Sequence, residues 1–210
     1  MTVSQKMRFY AAEIFRLQQD YDQVPLSLLT EHVNISTQAM STMVQRMKSA
    51  GYLNYEPYRG VTLTPEGERI AMPALRRHRL VEVFLVRRMN YDWATAHELS
   101  DVFERGVNEE IEDRIDELTN HPKRCPHGEP IPSKDGVMPT LSDKILIDVP
   151  SGSDCLISRV RTHDADKLRY IAELGLLPGV PFHLLSCAHY KGTLRLQIKP
   201  QDHVISYELA

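Results

Sequence analysis

Residues 35–63 read ISTQAMSTMVQRMKSAGYLNYEPYRGVTL, and how this stretch is parsed decides the fold of the first third of the chain. A tight step at Ile35-Ser36 leads into TQAMSTMVQRMKS. Ser36 or Thr37 is a natural N-cap there and Gly51 a natural C′ glycine, so the spacing predicts a helix between them. Beyond it, Tyr52 to Leu63 alternates around Arg59-Gly60, the pattern of two short strands joined by a turn. Upstream, FYAAEIFRL carries Phe9, Ile14 and Leu17 at amphipathic spacing, and VPLSLLTEHVN is a short helix led by a proline and ended near Asn34. Downstream, Thr64-Pro65-Glu66 opens another helix, with proline in the first turn, where its missing N–H is not needed.

Helix, short helix, sharp turn, helix and two-stranded wing, in that order, make a winged helix-turn-helix. The competing reading is an ordinary small α/β domain. DNA binding is favoured by the polar residues that open and line the last helix, Ser36, Thr37, Gln38, Ser41, Thr42 and Gln45, with Arg46, Lys48 and the wing's Arg59. Such side chains reach base edges and phosphates in a major groove. Residues 1–72 hold seven Lys/Arg against seven Asp/Glu, so phosphate contacts must be local and one copy alone binds weakly.

The whole chain is 210 residues long with a net charge of −3, room for one domain or two small ones and no global positive excess. No run approaches the ~18 apolar residues of a membrane span, and no secretory signal opens the chain. Three widely spaced cysteines, Cys125, Cys155 and Cys187, argue against a disulfide framework, so a reducing cytoplasm is the expected location.

Residues 73–140 form a second segment. LRRHRLVEVFLVRRM carries Leu75, Leu80, Val83, Phe84 and Val86, and a further helix is expected through ATAHELSDVFERGVNEEIEDRIDEL. Helices of this length cannot bury themselves against a small wing domain, which predicts a homodimer. After PIPSKDG, residues 141–210 alternate strand-like runs with one short helix, the pattern of a small SH3-like barrel. The expected class is therefore α+β, mainly helical.

His78 and Glu82 are four residues apart, as are His97 and Asp101, with Glu104 one turn on; each set shares a helix face. Two imidazoles and three carboxylates suit Mn²⁺, Fe²⁺, Co²⁺ or Zn²⁺, although isolated His–Glu pairs are more often structural. Residues 121–130, HPKRCPHGEP, place Cys125 and His127 in a proline-rich linker that is either a rigid turn or a ligand-bearing one.

The winged segment, RRHRLVEVFL, HELSDVFE, NHPKRCPHGEPIP and the SH3-like (FeoA-like) tail together resemble the DtxR/MntR metalloregulators, above all the three-domain manganese and iron repressors. The resemblance implies a homodimeric repressor whose metal occupancy fits two winged domains to a palindromic operator. It assigns His78, Glu82 and His97 to the family's first metal site. In one branch Glu82 is joined by the Cys and His of CPHG, here Cys125 and His127, and by a carboxylate of the SH3-like domain, for which Asp164 of THDAD is the first candidate and Asp166 the second. At the family's second site this chain has Phe9, Ala12, Asp101, Glu104 and Arg105. Asp101 and Glu104 remain ligand candidates, but Phe9 and Ala12 cannot coordinate, and Arg105 brings a fixed positive charge that could neutralise the carboxylates in place of an ion. Mn²⁺ or Fe²⁺ is the expected metal, with Zn²⁺, Co²⁺ or Cd²⁺ accepted in vitro, Cys125 pulling toward the softer ions. The competing functions are a winged-helix regulator indifferent to metal, a protein-binding adaptor, and a metallohydrolase, for which no separate general base is visible.

Overall fold

Ser4 accepts a hydrogen bond from the Met7 amide at 3.2 Å and starts α1 (Gln5–Leu17), the first element of the computed structural model, which describes residues 3–162, 164–188 and 192–210. After Pro25, α2 (Leu26–Val33) is closed by Asn34 in the left-handed conformation (φ 52°), one of the few residue types that adopts it readily. Ser36 then caps α3 (Thr37–Ser49), its hydroxyl accepting from the Ala39 amide at 3.3 Å. Met40, Met43, Val44 and Met47 fall on one face of α3 and are buried with Ile14 and Leu29. The wing is an antiparallel pair, β1 (Leu53–Glu56) and β2 (Gly60–Leu63), in register from Leu53↔Leu63 to Glu56↔Gly60. Val24 extends it: Val24 and Val61 each donate an amide to the other's carbonyl at 2.9 Å. Gly60 makes that approach feasible, since a Cβ there would lie 2.3 Å from the Val24 oxygen.

A 25-residue helix, α4 (Pro65–Met89), follows, with Pro73 inside it, so residues 72 and 73, a boundary suggested by the sequence, lie within one element. The chain divides into two compact units, residues 1–78 with 132–138, and residues 79–131 with 139–210.

In the second unit Asp92 caps α5 (Trp93–Phe103), accepting from the Ala94 and Thr95 amides at 3.0 and 2.9 Å. The single helix expected beyond this point is corrected to two. A 3-10 turn at Glu104–Gly106 ends α5, and Asn108 restarts the chain as α6 (Glu109–Leu118) by accepting from the Ile111 amide at 2.9 Å. Val107, between the two, is buried with Leu80, Val83 and Ile115, so core packing outweighs helix continuation.

The C-terminal part comprises β3 (Ser153–Leu156), α7 (Ala165–Glu173), β4 (Pro181–Cys187), β5 (Thr193–Ile198) and β6 (Gln201–Ser206), with a four-stranded antiparallel sheet ordered β3-β4-β5-β6. Period-two alternation turns Phe182, Leu184, Leu194 and Leu196 toward Leu168 and Ile171 of α7. Trp93 of α5 joins this cluster and donates its indole N–H to the Leu168 carbonyl at 3.1 Å. The architecture is the α+β, mainly helical one expected from the sequence. Among the described residues no helix is long and apolar enough to cross a membrane.

Candidate metal centre and nucleic-acid interface

Glu82 lies at the centre of a buried cluster in the second unit and is 2% exposed. Its Oε1 is 2.9 Å from His97 Nδ1, presented by α5, and 3.4 Å from His127 Nδ1. Cys125 Sγ is 3.8 Å from the same His127 nitrogen, and one ligand atom each from Glu82, Cys125 and His127 lie within 4.8 Å of one another.

The segment carrying Cys125 and His127 is shaped locally. Cys125 accepts from the Gly128 amide at 2.9 Å, closing a four-residue turn with Pro126 in its second position, where proline's fixed φ fits. The Cys125 amide donates to the Glu129 carbonyl and that of Ile131 to Lys123, both at 2.9 Å. Two residues apart in a closed turn, the thiol and imidazole converge on Glu82. The His127 ring stacks on Trp93 (5.2 Å, 24°) and meets His97 edge-on at 5.5 Å. Trp93 is the chain's single tryptophan, and no spacing signal ties it to the site.

Two features show that the cluster fits a divalent cation. His127 Nε2 is buried with no hydrogen-bond partner among the described residues, a cost of about 1–3 kcal/mol for a polar atom left unsatisfied. The donor set, one thiol, two imidazoles and one carboxylate, is also one that transition metals bind. Burial, and then the neighbouring Glu82 carboxylate, push the Cys125 thiol well above its ordinary value, so binding has to displace a proton. No disulfide competes for this free thiol.

His78 is buried one turn before Glu82 on α4, and the two share a helix face. Asp164 is not brought to the cluster. It is exposed and caps α7, its Oδ1 accepting from the Asp166 and Lys167 amides at 2.9 and 3.1 Å. Asp101 is exposed on α5 and Glu104 half-buried in the following turn. Arg105 is exposed in that turn as well. Phe9 packs edge-on against Tyr10 at 5.7 Å, and Ala12 is buried in the core of the first unit.

On the winged domain, Thr37, Gln38, Thr42, Gln45, Arg46 and Lys48 are exposed on α3, and Ser41 is half-buried. Ser36 is exposed but its hydroxyl serves as the helix cap. The Lys48 ammonium sits 5.8 Å over the Tyr55 ring, and Arg59 at the wing pairs with Glu56 at 2.8 Å.

A winged helix-turn-helix and a buried thiol–imidazole–carboxylate cluster on one chain define a class: a metal-dependent DNA-binding transcriptional regulator, not an enzyme. Comparison with known proteins is specific. Three family models cover most of the sequence: the iron-dependent repressor N-terminal DNA-binding domain (residues 2–61), the iron-dependent repressor metal-binding and dimerisation domain (residues 64–133), and the FeoA domain (residues 145–210). An HTH-type transcriptional regulator of Methanocaldococcus jannaschii is 31% identical over 114 residues, covering 54% of this chain and 91% of that protein. The iron-dependent repressor IdeR of Mycobacterium tuberculosis is 26% identical over 181 residues, 80% of this chain and 79% of its own. Among solved structures, a manganese-dependent transcriptional repressor in complex with manganese superposes with a TM-score of 0.87 at 29% identity, over 97% of this chain and 96% of that one. The IdeR of T. acidophilum gives 0.86 at 27% identity, over 100% and 95%. The chain belongs to the DtxR/MntR family of metal-dependent repressors.

Proposed function

We propose that this protein is a homodimeric repressor of metal-homeostasis genes, acting in the cytoplasm, that binds a palindromic operator when Mn²⁺ or Fe²⁺ is held at the Glu82 cluster. The observation that carries this reading is the buried convergence of Glu82, Cys125 and His127, one ligand atom each within 4.8 Å of one another, with His97 Nδ1 2.9 Å from the same Glu82 carboxylate. A divalent cation would be held by Glu82, Cys125 and His127, with His97 beside Glu82, and would supply the positive charge that offsets the carboxylate and thiolate. Glu82 Oε1 lies 2.9 Å from His97 Nδ1 and 3.4 Å from His127 Nδ1, Cys125 would give up its proton on binding, and Trp93 stacks on the His127 ring. His78, which the resemblance assigns to the family's first site, lies one turn before Glu82 on the same helix. Phe9 and Ala12 cannot coordinate at the family's second site, so control passes to the Glu82 cluster, with Asp101 and Glu104 remaining as the only ligand types there among the positions matched. DNA is read by Gln38, Ser41, Thr42, Gln45 and Arg46, with Thr37, Lys48 and Arg59 on phosphates. The dimer is made through α5, where Leu99, Val102 and Phe103 are exposed apolar residues.

The test is fluorescence anisotropy on the gene's own upstream region with Mn²⁺, Fe²⁺, Zn²⁺ or chelator. A metal-dependent gain of 100-fold, equivalent to about 2.7 kcal/mol, is the expected scale. Tight binding unaffected by chelator would favour a metal-independent regulator, a reading that the lost second site supports.

A further inference from the structure

The Glu82 cluster rests on an ion-pair ladder that contributes no ligand. Glu129, buried two residues after His127, pairs with Arg79 of α4 at 3.2 Å. On its other side it pairs with Arg159 at 3.1 Å, and Arg159 Nε donates to Asp143 at 2.9 Å. The Arg79 guanidinium also donates to the Pro130 carbonyl. Backbone contacts run beside this ladder. The Val160 amide donates to the carbonyl of His127 at 2.8 Å, and Arg124 reaches the Gly128 carbonyl at 2.8 Å and Ser158 at 3.2 Å. Gly128 lies so close to residues 158 and 159 that a Cβ would stand 2.2 Å from the Ser158 oxygen.

We infer that Glu129 and Arg159 are positioning residues for the metal centre: the segment before α7 fixes the Cys125–His127 turn in ligating geometry through these contacts, without donating a ligand. Residues 158–160 thereby take the place that a carboxylate such as Asp164 would have filled. The charges balance along the ladder, two guanidiniums against two carboxylates, which suits their burial. An unheld turn has to be ordered by the ion itself, at the expense of affinity. This rests on the proposed metal reading.

The experiment is Co²⁺ titration of the full-length protein, following the thiolate-to-cobalt absorption from Cys125, alongside far-UV circular dichroism. Arg159→Gln and Glu129→Gln are each expected to weaken Co²⁺ binding roughly 10- to 100-fold, the usual scale for groups that orient ligands. They are also expected to diminish the charge-transfer band at saturation, with secondary structure unchanged. Arg159→Lys, which keeps the charge but not the fork, should restore part of both. Wild-type affinity and an intact band in both Gln variants would overturn the inference while leaving the metal site standing. A wild-type protein with no Cys125-dependent band, judged against Cys125→Ser, would overturn the site and the inference together. If Arg159→Gln fails to fold, Asp143→Asn, which loosens Arg159 without removing it, is expected to give the same loss in milder form; wild-type behaviour there counts against the ladder.

Discussion

Glu13 on α1 shows how single residues depart from what a sequence pattern suggests. It is buried, bonded to Arg16 on its own helix, and 2.8 Å from His32 Nε2 on α2. Burial alone would raise its pKa, but Arg16 and then His32, with a smaller contribution from His78, outweigh that and bring it to about 2 from an ordinary 4.5. A carboxyl with a depressed folded value contributes stability that is fully present above its unfolded value and lost as pH falls toward the folded one. Urea unfolding should therefore show a loss on the order of 3 kcal/mol between pH 4.5 and 2 from this group. Glu13→Gln should flatten that decline; an unchanged slope would refute the assignment. Gly128 supports a second residue-scale prediction. With φ at +84° and backbone in the path of a Cβ, Gly128→Ala should cost about 1–3 kcal/mol in thermal unfolding and weaken metal binding. Glu13's pairing with Arg16 is local, but its contact with His32 and the crowding at Gly128 are not visible in the sequence, because both depend on residues distant along the chain. The tight Cys125–Gly128 turn is legible, because proline and glycine impose it locally.

Among the elements, caps are the most legible feature. Ser36 before α3 and Asn34 after α2 both do what their residue types favour. Ser36→Ala should lower unfolding stability by about 1 kcal/mol, and because the cap fixes how α3 begins, operator affinity should fall with it. Arg46→Ala should weaken DNA binding across sequences and lower the salt slope of the binding constant by about 1. A salt slope identical to wild type would remove Arg46 from the phosphate contacts. Gly106 and the cap residue Asn108 are local signals for the break between α5 and α6, but without a proline they do not force it. The chain leaves the helix there so that Val107 can enter the core, a choice made by packing. The wing was legible from alternation, yet its bridge to Val24 was not, because nothing local says which strand edge will be covered.

At the scale of the whole molecule, the proposed function requires two copies. Val102 is 67% exposed, with Leu99 and Phe103 beside it on α5 and Phe84 at 6.1 Å from the Phe103 ring. Val102→Asp should shift sedimentation velocity from dimer to monomer at micromolar concentration and abolish binding to a two-half-site operator; a persistent dimer would move the interface elsewhere. The order of winged domain, helical segment and sheet is written in the chain, because periodicity, caps and turn residues act over a few positions. So are the chemical types of the donors. Convergence is not written there. Glu82, His97 and Cys125–His127 come from three separated segments, and ligand atoms meet only where the α4, α5 and turn backbones are packed to within a few ångströms. Asp164 makes the same point in reverse: the residue type suits a metal, but two free amides at the start of α7 lie within its reach and hold it. Short-range covalent and hydrogen-bonding rules fixed the elements. Long-range packing, which sequence spacing does not encode as distance, decided which side chains form the site.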